Sequence, residues 1–280
     1  MVEESVTVAS YPYAATMPQF VRDGVPTLTG FRRESVAPYV VLTVKDPLTV
    51  SADGHDGDIA SFLDGAETVA QTGLFTTVTG TFQGVPISVV AGGSGAPEAE
   101  LALMDLFNFT DATAILRIGG CGAWNEAVKV GDLLIAAGAV RDEGMSKAHV
   151  KAEYPAVADH VLVGRLAEAA REIGAPHHVG IIRSGDSEYT GWGRPGPGGY
   201  LQDEHAGIID YWRKAGILGA DRETSAILTL SRLYGRRGGS VCSVGDNVVT
   251  GEPHRSGAGH EEAIKVGLAA LAKLAEADKR

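Results

Sequence analysis

The stretch 114-AILRIGGCGA-123 decides the fold. It starts as a β-branched apolar run, takes one charge at Arg117, and ends in three glycines, Gly119, Gly120 and Gly122. A buried strand tolerates an arginine only where the guanidinium meets a carboxylate or lines a ligand pocket, because an unpaired buried charge is costly. Both alternatives stand on the residues alone. A second glycine segment, 92-GGSGAPE-98, leaves one apolar run and opens a helix. Free N–H groups at a helix start attract anions. The segment has neither the third glycine of a dinucleotide fingerprint nor the Gly-Lys-Ser/Thr of a P-loop. Packing alone is the competing explanation, and Glu98 would repel an anion placed directly on it.

Outward from these segments, strand-like runs alternate with helical patterns. Strands are expected over 39–44, 76–82, 86–91, 114–118, 132–139, 179–183 and 240–244. Gln83-Gly84 marks a hairpin between the second and third of these. Helices are expected over 98–107, 161–173, 222–234 and 261–276, the last with Ile264, Leu268, Leu271 and Ala275 as its apolar stripe. The alternation predicts an α/β protein with a central mixed sheet in one domain over 38–280. Residues 1–37 lack periodicity and read as an extended arm. The segment 192-WGRPGPGG-199 reads as a ligand-covering loop.

Composition narrows the function. Twenty-four Lys and Arg against 35 Asp and Glu give a net charge of −11. That balance excludes the phosphate backbone of a nucleic-acid polymer as partner. No run of 18 apolar residues marks a membrane span. The acidic N-terminal stretch lacks the positive charge of a signal peptide, so a cytoplasmic location is expected. Cys121 and Cys242 read as reduced thiols, the pair His177-His178 reads as surface, and neither metal-ligand spacing nor a cofactor motif is present. The 37 glycines are about twice the usual share of ~7 % and follow no three-residue period, so they mark turns and close backbone approaches.

The order of short motifs resembles the nucleoside phosphorylase family of the uridine phosphorylase and hexameric purine nucleoside phosphorylase type. The matching stretches are Asp46-Pro47, 79–84, 92–97, 117–123, 130–132, 139–146, 153–159 and Glu223 with its following helix. They span nearly the whole chain. The resemblance implies a three-layer α/β/α fold with a partly barrel-like sheet. It also implies cleavage of the N-glycosidic bond of a nucleoside, by family default with phosphate as nucleophile.

Site residues follow from the same resemblance. Glu223 stands where the family's glutamate accepts the ribose 2′ and 3′ hydroxyls. Arg222 replaces a methionine that packs on sugar and base; it either pairs with Asp221 or Asp246, reaches a ligand anion, or fills the pocket. Asp246 stands where the purine enzymes assist the leaving base; a cap of the Asp246-Asn247 turn is the alternative. Trp192 replaces a base-reading glutamine, Arg194 keeps the arginine of that loop, and Val248 replaces a second one. Together they lean towards a purine-like base or one stacked on Trp192.

The phosphate group departs most from the family. Arg117 matches one arginine, while Thr49 and Gly73 replace two others. Gly120 stands for a Ser or Thr, and Lys45 for a glycine. Two lost arginine contacts at about 1.5–3 kcal/mol each weaken phosphate roughly 10²–10⁴-fold. A phosphate-independent hydrolase, an enzyme of modified nucleosides and a non-catalytic nucleoside-binding relative therefore stand as alternatives. The family also implies a homo-oligomer, as a dimer or a trimer of dimers.

Overall fold

Residues 114–123 form one unbroken strand, and its two halves have different neighbours. The computed structural model describes residues 20–44 and 59–279. In chain order its elements are β1 (Val21–Arg22), β2 (Val25–Pro26), β3 (Tyr39–Thr43), β4 (Asp64–Gln71), β5 (Phe75–Phe82), β6 (Val85–Gly92), α1 (Ala96–Phe109), β7 (Ala114–Ala123), β8 (Leu133–Asp142), α2 (Met145–His149), β9 (Ala156–Val157), α3 (His160–Ile173), β10 (His177–Gly185), α4 (Asp203–Ala206), α5 (Ile208–Lys214), β11 (Gly219–Asp221), α6 (Thr224–Leu233), β12 (Arg237–Asn247) and α7 (His260–Asp278).

The first half of β7 lies parallel to β3, from Tyr39 opposite Ala114 to Leu42 opposite Arg117. Beyond Arg117 that edge passes to β11, which pairs antiparallel through Gly219 opposite Ala123 and Ala220 opposite Gly122. The full sheet runs β4-β5-β6-β3-β7-β12-β8-β10-β11, with β9 on β8. Because β11 returns to β7, five strands close into a barrel and β3–β6 form an open wing. Closure depends on glycine: a Cβ on Gly219 would stand 2.4 Å from the Gly122 carbonyl oxygen.

Alternation along the strands builds the layers. Leu116 and Ile118 of β7, Val41 of β3 and Ile87 and Val89 of β6 pack towards α3 and α7. Ile115, Val40, Leu42 and Val90 pack towards α1 and α6. Arg117 shares the phase of Ile115, so its side chain faces the layer that holds α6. A third small core, with Leu134, Ala136, Ile182 and Val244, belongs to the barrel strands. The three-layer arrangement with a partly barrel-like mixed sheet is the expected one.

Local chemistry accounts for most boundaries. Gln83 and Gly84 both take positive φ, 51° and 75°, which suits a two-residue hairpin turn following the strand twist. Asp159 caps α3 by accepting from Leu162 N at 3.0 Å, and Gly174 ends it at φ 76°. Four features differ from expectation. Residues 119–122 continue β7 rather than turning, because β12 pairs along their whole length. The helix expected from 222 begins at Thr224. The polar strand β4 carries no apolar alternation and escaped notice. After the expected loop, whose ends make single 3₁₀ turns at Thr190–Trp192 and Pro197–Gly199, come α4 and α5.

His178 is not a bare surface residue: its Nε2 lies 2.9 Å from Asp132 Oδ2. Residues 20–37 carry the β1–β2 pair and bury Phe31, Val36 and Ala37. The rest of the segment read as an arm, residues 1–19, lies outside the described residues.

Gly219→Ala is expected to cost about 1–3 kcal/mol, the usual range for overpacking a close contact. Thermal unfolding checks it; an unchanged Tm contradicts the account of barrel closure.

Candidate active site

Arg117 ends its guanidinium in a cluster that the strands and the start of α6 build together. Its Nη2 and Nε donate to Glu223 Oε2 at 2.6 and 3.1 Å. Nε also lies 3.1 Å from Asp221 Oδ2. Nη1 reaches Cys242 Sγ at 2.9 Å, and Nη2 reaches the Gly120 carbonyl at 3.4 Å. Gly119 makes the room, since a Cβ there would stand 2.3 Å from Nη1. Arg117, Asp221 and Glu223 are all buried, and the carboxylate partners a buried guanidinium requires are present.

Asp221 is the anchor. Its Oδ1 accepts from Ser184 Oγ of β10 at 2.6 Å. Its Oδ2 accepts from Thr224 Oγ1 at 2.6 Å and Thr224 N at 3.1 Å. It therefore caps α6 and braces Arg117 at once. Burial pushes its carboxyl above the ordinary range, against the pull of Arg117. Burial also works against the charge on Arg117, but Cys242, Asp221 and Glu223 outweigh it and raise its pKa further. The hydrogen bond from Cys121 and the charge on Arg117 pull Cys242 below the ordinary thiol value, although burial opposes them.

Glu223 holds the N-cap position of α6 without capping it. Its carboxylate bridges instead. Oε2 takes Arg117, and Oε1 accepts from Gly95 N at 2.6 Å, at the start of α1. The glycine segment 92–95 is thereby tied to β7, with Gly92, Gly93 and Gly95 all at positive φ. The space among Thr43, Gly93, Gly95, Arg117 and Glu223 is about 10 Å³, roughly one water.

Arg222 pairs with neither Asp221 nor Asp246. Its Nη1 donates to Ser94 Oγ at 3.1 Å, and its Nε lies 3.5 Å from Glu188 Oε1. It thus bridges the glycine segment and the loop after β10, resting on Gly95.

A second group forms around Gly122. Asp246 lies within β12, where pairing with β7 shifts register between Val244 and Asp246. A Cβ on Gly122 would meet Asp246 Oδ1 at 2.8 Å and the Trp192 ring at 3.8 Å. Burial raises the Asp246 carboxyl, with His254 and Arg194 pulling it back. The turn-capping alternative belongs to Asn247, whose Oδ1 accepts from Val249 N and Thr250 N at 3.0 and 3.2 Å. Trp192 meets Trp124 edge-on at 5.7 Å, and Arg194 lies 5.9 Å from the centre of the Tyr189 ring.

The structure therefore joins Arg117, Gly120 and Glu223 in one cluster, sets Arg222 at its rim, and brings Asp246 and Trp192 together at Gly122, with the charge of Arg194 acting on Asp246. Gly120 leaves an open floor: a Cβ there would meet only the Ser243 carbonyl, at 3.9 Å. Gly73 has nothing within 4 Å of such a Cβ position. Lys45, Asp46 and Thr49 lie outside the described residues. Sequence reading missed Ser184, His254, Trp124 and the anchoring role of Asp221. Only Asp221 carried a signal, an acidic residue three positions before the first threonine of a helix.

The sequence profile described as phosphorylase superfamily matches residues 41–278. A uridine phosphorylase of Thermococcus kodakarensis is 40 % identical over 244 residues, 87 % of this chain and 84 % of that protein. A guanosine phosphorylase of Halorubrum lacusprofundi is 32 % identical, over 79 % of this chain and 90 % of that protein. Among solved structures, uridine phosphorylase from Vibrio fischeri superposes with a TM-score of 0.72 at 29 % identity, covering 87 % of this chain and 95 % of that one.

Arg117→Met leaves Asp221 and Glu223 buried without their cation, and is expected to cost about 3–5 kcal/mol. The loss should grow with pH. Without the guanidinium the folded pKa of Asp221 rises further above its unfolded value, so stability held by the protonated form is lost as pH rises through it. Urea unfolding at pH 5 and pH 8 checks this; equal losses at both contradict the buried-pair account.

Proposed function

The chain belongs to the nucleoside phosphorylase family, and from that premise we propose that it cleaves the N-glycosidic bond of a nucleoside with inorganic phosphate, releasing the base and pentose 1-phosphate. The observation that carries the reading is the buried Arg117–Glu223 pair tied to Gly95 N at the start of α1. A carboxylate beside a cation supports the reading, since the reaction needs a hydroxyl acceptor and a partner for the anion.

Three tasks follow from an oxocarbenium-like transition state. Glu223 accepts the 2′ and 3′ hydroxyls in charge-assisted hydrogen bonds and fixes the sugar. Arg117 faces the phosphate over the open floor at Gly120, with Lys45 as a further candidate cation. Arg222, held between Ser94 and Glu188, flanks the ribose. Asp246 donates a proton or hydrogen bond to the departing base, helped by the burial that raises its pKa. Trp192 and Arg194 line the base. No metal or cofactor enters this chemistry.

Assembly as a homo-oligomer belongs to the same proposal. Val179 and Ile181 stand exposed on β10, with Val157 exposed on β9 across β8, and a second copy would cover them. A cytoplasmic location is supported by two free cysteines, and no helix among the described residues is long and apolar enough to cross a membrane.

Base release from uridine, inosine, guanosine and adenosine, with and without phosphate, tests the proposal. Release that requires phosphate is expected; equal release without it overturns phosphorolysis. Asp246→Ala is expected to lower kcat about 10²–10⁴-fold. In the parent enzyme kcat should fall as pH rises through the raised Asp246 pKa, and Asp246→Asn should remove that limb. A limb that persists in Asp246→Asn assigns the proton to another group.

A further inference from the structure

His254 enters none of the steps above, yet the fold seats it beside the Asp246 carboxyl. Val244 of β12 pairs with Cys121 of β7, and Asp246 pairs with Gly122, so Gly245 is the extra residue of a bulge. A bulge breaks the alternation of a strand and re-aims the side chains beside it. Asp246 Oδ1 comes to rest against Gly122, 2.8 Å from where a Cβ would stand. The His254 ring takes the space over Gly245. A Cβ there would meet its Nδ1 and Cε1, both at 3.0 Å, and the Cys121 carbonyl oxygen at 3.9 Å. Ring and carboxyl thus lie against adjacent residues of one strand, Cys121 and Gly122.

Hydrogen bonds on both sides hold His254 there. Two residues before it, the Glu252 carbonyl accepts from Asn247 N at 3.1 Å, and Glu252 Oε2 accepts from Val130 N at 3.2 Å. One residue after it, Arg255 N donates to the Gly245 carbonyl at 2.9 Å, and Arg255 Nη2 donates to the Val130 carbonyl at 3.1 Å. The segment is therefore pinned to the bulge and to the turn before β8, while the His254 side chain stays open to solvent and can exchange protons with it.

Burial raises the Asp246 carboxyl, and two charges oppose it, His254 first and Arg194 second. Arg194 comes from the loop after β10. Trp192 of the same loop and Gly122 of β7 also face Asp246 but bring no charge. An arginine keeps its charge at every working pH, whereas a histidine changes charge between about pH 5 and 8. A cation beside a carboxyl favours the carboxylate. Of the two opposing charges, only that of His254 can therefore change in the working range. Resting on the reading of Asp246 as the group that assists the departing base, we infer that His254 is a positioning residue for the proposed reaction: its imidazolium, seated on the Gly245 bulge, favours passage of the Asp246 proton to the base, and its neutral form favours retention of that proton. The proton leaves the carboxyl for the base, and the imidazolium faces the carboxylate left behind.

The test is kcat against pH in the parent protein, His254→Gln, His254→Lys and Asp246→Asn. Phosphate is saturating, and the nucleoside is whichever of uridine, inosine, guanosine and adenosine the parent turns over fastest. Glutamine carries no charge, lysine carries one throughout the range, and phosphate titrates alike in all four proteins. As pH rises, kcat falls where Asp246 loses its proton. That limb is expected about 1 pH unit higher in His254→Gln than in His254→Lys, with the parent at one of the two positions or between them. At a fixed pH on the limb, His254→Gln should then turn over about tenfold faster than His254→Lys. If Asp246→Asn removes the limb but it coincides in the other three proteins, or lies lower in His254→Gln than in His254→Lys, His254 only fills the space over Gly245. The inference is then overturned with the phosphorylase reading intact. A limb that persists in Asp246→Asn removes Asp246 as the proton donor, and the inference with it. If the parent releases base from none of the four nucleosides, the phosphorylase reading itself fails and the inference falls too.

Discussion

A guanidinium removed from water and held between two carboxylates is the constraint on which the rest of the molecule depends. Arg117 can be buried only if Asp221 and Glu223 arrive beside it, and each brings an element. Asp221 carries the start of α6 and, through Ser184, the end of β10. Glu223 carries the glycine segment that opens α1. Cys242 brings β12 to the other side. Breaking such a cluster from one side leaves an uncompensated charge, whereas leaving it intact sets the relative positions of four elements. Barrel closure at Gly122 and Gly219 lies a few residues further along the same strands, so fold and site share one set of contacts.

The same electrostatics shape the chemistry. One guanidinium between two carboxylates offers an anion less attraction than three arginines would. The raised carboxyls have different surroundings and different uses. Asp221 is enclosed by hydroxyls and a cation and serves as structure. Asp246 is half-buried beside an aromatic ring; burial raises its carboxyl while the charges of His254 and Arg194 pull it back.

Much of this was legible in the residues. The 2-residue and 3.6-residue periods gave the strands and helices that are buried on one face, and Arg117 before three glycines announced a paired charge or a pocket. What escaped has physical reasons. The run 119–122 imitates a turn because glycine permits one, but β12 holds it extended. β4 is exposed on an edge and needs no apolar face. Arg222 has reach enough to choose partners, and Asp221 was not available to it because Arg117 had already taken it. His254 and Asp246 become neighbours only through the bulge at Gly245, which no local spacing announces.

The proposed reaction rests on direct contact of Arg117 and Glu223 with substrate. The most direct measurement is a crystal structure of the protein with phosphate and a non-cleavable nucleoside analogue bound. Glu223 is expected within about 3.2 Å of both the 2′ and 3′ hydroxyls, and an Arg117 nitrogen within about 3.2 Å of a phosphate oxygen. A nucleoside bound elsewhere, with Glu223 still closed on Gly95 N and touching no sugar hydroxyl, would contradict it.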